Sequence, residues 1–167
     1  MHRKLAELQK VLSDAIQGMS TEELSRHPAG KWSAAEILEH LNLSYVGTIK
    51  NLERCLADGQ SRASSDRAKM RWSRLIVTRL GYFPKGRQSP DFVRPRGAPA
   101  EQVTGEIMQN ILRMDEVIGQ CESSFPAKAP ITDHPILGPL TATEWRGFHS
   151  THGKHHARQI VRLRGKT

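Results

Sequence analysis

Apolar residues recur at helical spacing over most of the chain. The first stripe lies in residues 3–19 and consists of Leu5, Leu8, Leu12, Ala15, Ile16 and Met19. Its period of three to four residues predicts a long amphipathic helix. Ser20 is then predicted to cap a short helical turn that ends near residues 27–30, where Pro and Gly interrupt the pattern.

A second long helix is predicted between Ser33 and Gly59. Ser33 and Glu36 have the spacing of a capping box, in which each side chain bonds the backbone N–H of the other residue. The apolar stripe that follows consists of Ile37, Leu38, Leu41, Tyr45, Ile49 and Leu52. Asp58 and Gly59 are typical of a helix end, because glycine accepts the left-handed conformation there.

A proline-rich segment separates this helix from the next long one. Residues 69–83 predict a shorter apolar helix, and the Pro and Gly residues of 84–99 predict a long irregular loop. Pro99 opens the next long helix, where proline is favoured. The apolar stripe of that helix consists of Val103, Ile107, Ile111, Met114 and Ile118.

The last helix follows a second proline-rich loop, residues 126–140. Thr141 and Glu144 form another capping box, and the helix is predicted to end near Leu163. No strand pair and no internal repeat is predicted. Four long helices with long connections and one or two short extra helices predict an all-α four-helix bundle, in a single domain over residues 1–167.

Composition places the chain among folded proteins that do not cross a membrane. Hydrophobic residues make up only 37% of the sequence, but their periodicity argues against disorder. No apolar window has the length of a membrane span, and the charged N-terminal stretch lacks the apolar core of a signal peptide. Cys55 and Cys121 have no metal-like spacing, which indicates reduced thiols in a cytoplasmic protein.

Part of the net charge of +8 lies between residues 62 and 96, where ten Lys and Arg residues stand against two Asp. Such a cluster is typical of a surface for nucleic acid or an anionic ligand, and also of a solvated basic loop. The region contains no nucleic-acid-binding motif, and aromatic residues do not alternate regularly with its charges. We therefore interpret it as a solvated basic loop.

Four of the eight histidines lie close together, at positions 149, 152, 155 and 156. A helix turns by about 100° per residue, which places His149, His152 and His156 on the same side as Trp145 and other large apolar residues. His155 falls at the edge of that side. Three of the four are therefore predicted to point toward the interior of the bundle.

The inward histidines form a candidate metal site. Buried imidazoles need partners, and a divalent cation accepts a lone pair from each neutral ring. His152 and His156 are four residues apart, so their rings can share an ion; the alternative is a pair of hydrogen-bonded core histidines. His40 is the candidate third ligand, because it lies on a small polar flank of its helix; the alternative is a surface histidine.

Two stretches resemble the DinB-like (YfiT-like) superfamily. They are WSAAEILEHL at 32–41 and HSTHGKHHARQI at 149–160, and residues 134–160 are similar to a branch of unassigned function. The resemblance implies a four-helix bundle with one divalent metal ion. Three histidines with water suit Zn, Ni or Fe(II), of which we place Zn and Ni first. The implied ligands are His40, His152 and His156.

The resemblance also implies a class of chemistry. Characterised relatives include thiol-dependent transferases and an isomerase, in which the metal ion lowers the pKa of the thiol. The same ion would activate water in a hydrolase. We therefore predict a metal-dependent thiol transferase or hydrolase that acts on a small molecule, with a low-molecular-weight thiol as a further cofactor. Arg94 and Arg96 are the predicted binding residues for an anionic thiol.

His149 and Glu36 are the predicted catalytic residues. His149 would act as a general base or orient a ligand, in preference to binding the metal as a fourth ligand. Glu36 would accept a proton or orient a ligand; the alternative is that it only completes the capping box. One departure from the family pattern follows His156, where Gln159 keeps its place but the basic residue, Arg158, is shifted by one position.

Two other function classes remain open. A bundle that binds an ion without turnover would be a metal-binding stress-response module. The positive charge makes a nucleic-acid-binding protein the third hypothesis, with affinity for DNA that falls steeply with salt. A homodimer is also expected from the resemblance. The enzyme hypothesis predicts that a folded His156→Ala protein loses activity.

Overall fold

The structure of the protein is a computed structural model that describes residues 1–64 and 89–164. The four long helices confirm the predicted all-α fold class. The helix predicted within 69–83 lies outside the described residues, and so does most of the basic region between 62 and 96. The described part contains α1 (Arg3–Ile16), α2 (Thr21–Ser25), α3 (Ala34–Asp58), a 3₁₀ turn (Asp91–Val93), α4 (Ala100–Ser124) and α5 (Ala142–Arg164).

Side-chain caps begin two of the long helices where the sequence predicts them. Ser33 Oγ accepts the N–H of Glu36 at 3.1 Å, and the Glu36 carboxylate accepts the N–H of Ser33 at 2.8 Å. Thr141 and Glu144 exchange the same two bonds at the start of α5. Each cap satisfies N–H groups that a first helical turn leaves without intrahelical partners. The starts of α3 and α5, which carry the inward histidines, are therefore set by local sequence.

The prediction that the chain lacks a strand pair was wrong. Within the proline-rich loop, β1 (Thr132–His134) pairs antiparallel with β2 (Gly138–Leu140), and His134 lies opposite Gly138. Each strand has three residues, which is too short for a period-two pattern to be recognised. Gly138, the first residue of β2, takes a left-handed φ of 70° directly after the turn that joins the strands.

The long helices pack as two pairs around one core. α1 lies along α5, and α3 lies along α4. α1 ends at Ile16 rather than near Met19, because Gly18 takes a left-handed φ of 76° and turns the chain. The predicted stripes supply the fully buried side chains, which include Leu5, Leu8, Leu12, Leu38, Leu41, Leu52, Ile107, Ile111, Met114 and Ile118.

α1 and α5 are in close contact at Gly153, on the helical turn that runs from His152 to His156. A Cβ atom at position 153 would overlap Cδ1 of Leu8 and would lie 2.9 Å from the hydroxyl oxygen of Tyr45. Glycine is therefore the residue that fits here without a shift of the Leu8 side chain. None of the helices in the described ranges is long and apolar enough to span a membrane.

Candidate metal centre

Three histidines from two helices meet in one cluster. His40 lies on α3, and His152 and His156 lie on α5; all three are buried. The Nε2 atom of His152 is 3.2 Å from Nε2 of His40 and 3.1 Å from Nε2 of His156. We call these residues the three-histidine cluster. The structure thus brings together the three ligands that the sequence comparison with the family implies, and His40 is not a surface histidine.

Hydrogen bonds outside the cluster hold two of the rings in place. Nδ1 of His40 donates to the backbone oxygen of Val93 at 2.8 Å, and Nδ1 of His156 donates to Oε1 of Gln159 at 2.8 Å. The amide nitrogen of Gln159 lies 3.1 Å from Nε2 of His155, and its oxygen faces His156. Because both Nδ1 atoms carry protons, the Nε2 atoms of His40 and His156 present lone pairs to the cluster.

The geometry of the cluster fits a divalent cation. Metal–nitrogen bonds of about 2.0 Å at tetrahedral angles put the nitrogen atoms about 3.3 Å apart, close to the two spacings observed. Without an ion, a neutral His152 has at most one Nε2 proton to offer to two neighbouring lone pairs. A cation accepts all three lone pairs at once, so the donor set is better satisfied with a metal ion than with hydrogen bonds alone.

Burial keeps the cluster histidines neutral. It lowers the pKa of His40, and it lowers the pKa of His156 to about 3. The pKa of His152 lies well below its usual value, first because of burial and then because of the neighbouring histidines. Neutral imidazoles are the form that binds metal ions, so the cluster is ready for a cation at neutral pH.

A carboxylate next to His40 anchors the loop that carries Val93. Glu39 is buried, and its two oxygens accept the backbone N–H groups of residues 96, 97 and 98 at 2.8, 3.0 and 3.1 Å. Val93, whose backbone oxygen orients His40, precedes the first of these N–H groups by three residues. Sequence reasoning missed this role of Glu39. The sequence feature that could have indicated this role is an acidic residue next to a candidate ligand histidine, together with a glycine at position 97 of the loop.

Neither of the two predicted catalytic residues belongs to the three-histidine cluster. His149 is fully buried, its Nε2 atom is 2.9 Å from Thr48 Oγ1, and burial lowers its pKa to about 3. Its ring stacks on Trp145 with centroids 5.7 Å apart. Glu36 forms the capping box and lies 3.4 Å from His27. The proposed roles of His149 and Glu36 in catalysis stay predictions, and the capping role of Glu36 is observed.

The two predicted cofactor-binding arginines differ in position. Arg94 lines the cleft next to the cluster, and its guanidinium lies 3.0 Å from the Asp91 carboxylate. Arg96 contributes its backbone N–H to Glu39 and is not among the described residues that line the cleft. A role for either arginine in binding a thiol stays a prediction.

The cluster opens to a cleft between α3, α5 and the β1–β2 hairpin. The small polar flank predicted beside His40 lines it with Ser44, Gly47 and Asn51. On the hairpin side, Nδ1 of His134 accepts the N–H groups of residues 136 and 137, both at 3.1 Å. Phe148 lies between His134 and the cluster, with its ring stacked on His152 at 5.1 Å. A substrate in the cleft would therefore reach the cluster along a wall of aromatic rings.

The comparisons with known proteins agree with this architecture. A family model described as the DinB superfamily matches residues 4–160, which is nearly the whole chain. The comparisons with curated proteins and with solved structures found no match. The matched range includes all three histidines of the cluster.

Proposed function

The chain belongs to the DinB superfamily, and on that premise we propose that it is a metal-dependent enzyme. The three-histidine cluster holds one divalent ion, with Zn or Ni ahead of Fe(II). The reaction is transfer to or from a thiol, or hydrolysis. The observation that carries this proposal is the convergence of three Nε2 atoms within 4.8 Å of one another at a cleft.

The residues in and around the three-histidine cluster have different proposed roles. His40, His152 and His156 would hold the ion, which supplies a lowered pKa to a bound thiol or water molecule. The Val93 oxygen and Gln159 keep His40 and His156 in the tautomer that leaves Nε2 available.

The position of the cluster supports catalysis over a purely structural role. Three protein ligands leave room for a further ligand, as in catalytic zinc sites, whereas structural sites are usually closed by four protein ligands. The cluster also lies at a cleft that a small molecule can enter. A non-catalytic metal module would need neither feature.

Metal analysis tests the centre. Tag-free wild-type protein is expected to retain about one equivalent of metal after dialysis, and His40→Ala, His152→Ala and His156→Ala are each expected to lose most of it. His27→Ala is the matched control, because His27 is 63% exposed and lies outside the cluster. Retention of metal in all three cluster variants would contradict the assignment.

A thiol panel tests the chemistry. Turnover of electrophilic or ester substrates with low-molecular-weight thiols should be abolished by a chelator, restored by added metal, and absent in folded His156→Ala protein. Metal binding in wild type with no turnover under any of these conditions would favour the non-catalytic module.

A further inference from the structure

Four cationic side chains along the cleft have no ionic partner among the described residues. They are exposed, line the cleft and form no ion pair within residues 1–64 and 89–164: Lys31, Lys50, Arg54 and Arg162. Asp133 is the acidic residue among the described residues that line the cleft, and its carboxylate accepts the backbone N–H of residue 64. Among the described residues that line the cleft, positive charge therefore exceeds negative charge.

Cations elsewhere on the described surface are more often neutralised. Lys10 pairs with Asp14, and Lys154 pairs with Glu7. Arg26, Arg62 and Arg113 form ion pairs as well. Lys4 and Arg158, outside the cleft, form no ion pair with a described residue, so the cleft differs from the rest of the described surface in how many such cations lie together.

We propose that the cleft binds an anionic substrate whose reacting atom lies at the three-histidine cluster. Its carboxylate, sulfonate or phosphate groups are held by Lys31 and Arg162 on one side of the cluster and by Lys50 and Arg54 on the other. The proposal rests on the proposed function, because it names the substrate class of that same site. A concave surface lined by charges of one sign raises the local concentration of ligands of the opposite sign.

The cations lie on both sides of the cluster. Arg54 follows His40 by fourteen residues on nearly the same face of α3, about 21 Å along the helix at 1.5 Å per residue. Arg162 follows His156 by six residues, about 9 Å along α5. The ligand would therefore carry its anionic groups on both sides of its reacting atom, and these groups would be well separated from one another.

A fluorescent polyanion tests the cleft independently of the metal. Pyrene-1,3,6,8-tetrasulfonate is titrated at low ionic strength, with binding followed by fluorescence anisotropy. The variants are Lys50→Gln with Arg54→Gln, and Lys31→Gln with Arg162→Gln. The matched control is Lys4→Gln with Arg158→Gln, which removes the same charge outside the cleft. We expect each cleft variant to weaken binding on the order of tenfold, and the control to change it little.

A series of two-carbon thiols tests whether the positive charge of the cleft affects the binding of a ligand at the metal ion. Cobalt-loaded protein is titrated with 2-mercaptoethanesulfonate, 2-mercaptoethanol and cysteamine, and the change in the cobalt spectrum reports binding. Wild type is expected to prefer the sulfonate over the neutral thiol on the order of tenfold at low salt. Comparing the same thiol ratio in each variant removes the effect of the different thiol pKa values. The variant Lys31→Gln with Arg162→Gln should reduce the preference, whereas Lys50 and Arg54 lie too far along α3 for a two-carbon thiol to reach them from the cluster.

The outcomes separate the two proposals. Equal tetrasulfonate affinity in wild type, cleft variants and control would overturn the anionic-substrate inference. Displacement of the tetrasulfonate by a single-stranded oligonucleotide of higher affinity would also overturn it, in favour of nucleic acid. Cleft-dependent tetrasulfonate binding supports the inference even if no thiol changes the cobalt spectrum, a result that would count against the proposed function alone.

Discussion

His149 makes the stability of this protein depend on pH in a way that can be measured. The ring is fully buried, and its Nε2 atom bonds Thr48. A proton on this ring would place a charge in the buried core, which is why burial lowers its pKa to about 3. We predict that His149→Gln, which keeps a polar group near Thr48 and cannot titrate, reduces the loss of stability in acid.

The sign and the size of this pH effect follow from the linkage between proton binding and folding. The unfolded chain takes up a proton at His149 near pH 6.5, whereas the folded chain does so only near pH 3. Stability from this residue is therefore complete at neutral pH, and it falls as pH drops below 6.5 until the folded pKa is reached. For these two pKa values the loss between pH 7 and pH 5 is about 2 kcal/mol, to order of magnitude.

Urea unfolding provides the assay. Wild type, His149→Gln and the exposed-site control His27→Gln are unfolded at pH 7, 6 and 5 with excess chelator, so that metal release does not contribute. The free energy of unfolding at pH 7 reports how well glutamine packs at position 149. The change of this free energy with pH reports proton uptake by the residue at that position. We expect the slope of His149→Gln to be shallower by about 2 kcal/mol over this range, and that of the control to match wild type.

Parallel slopes for wild type and His149→Gln, with equal m-values, would refute the reasoning. They would mean that His149 does not need to lose its proton on folding. The same result would contradict the inference that burial disfavours a charge on the His149 ring.

Three further predictions concern the packing and the cluster. Gly153→Ala should lower the free energy of unfolding by about 1–3 kcal/mol in urea titrations, because its methyl group collides with Leu8; an unchanged value would contradict the close contact. Glu39→Ala should weaken metal binding on the order of tenfold in a competition with a chromogenic chelator, because the loop that orients His40 loses its anchor. Unchanged metal affinity would show that metal binding does not depend on the contact between Glu39 and this loop. Saturating metal should raise the thermal midpoint of wild type and leave that of His152→Ala unchanged.

The helices and the inward direction of the α5 histidines could be predicted from sequence because both depend on local spacing. Capping boxes are set by residues three positions apart, and the side on which His149, His152 and His156 lie follows from the helical angle. The metal-site interpretation at His152 and His156 came from the same local geometry. These features needed no knowledge of what packs against α5.

The parts that could not be predicted depend on contacts between distant segments. His40 lies off the apolar stripe of α3, and it is buried because α5 and the loop around Val93 close over it. The role of Glu39 requires three N–H groups more than fifty residues away. The family resemblance, rather than the spacing, assigned His40 as a ligand. The β1–β2 hairpin was missed because its strands are too short for a pattern.

The contact at Gly153 has a consequence for how this sequence can change. The side chain of Leu8 lies where a Cβ atom at position 153 would lie, so an enlargement of position 153 costs less stability if position 8 becomes smaller. The two positions should therefore show epistasis: Leu8→Ala and Gly153→Ala would each destabilise the protein alone, and the second change would cost less in the presence of the first. Because position 153 lies between His152 and His156, selection for metal binding would extend to α1, a helix that contributes no histidine to the cluster.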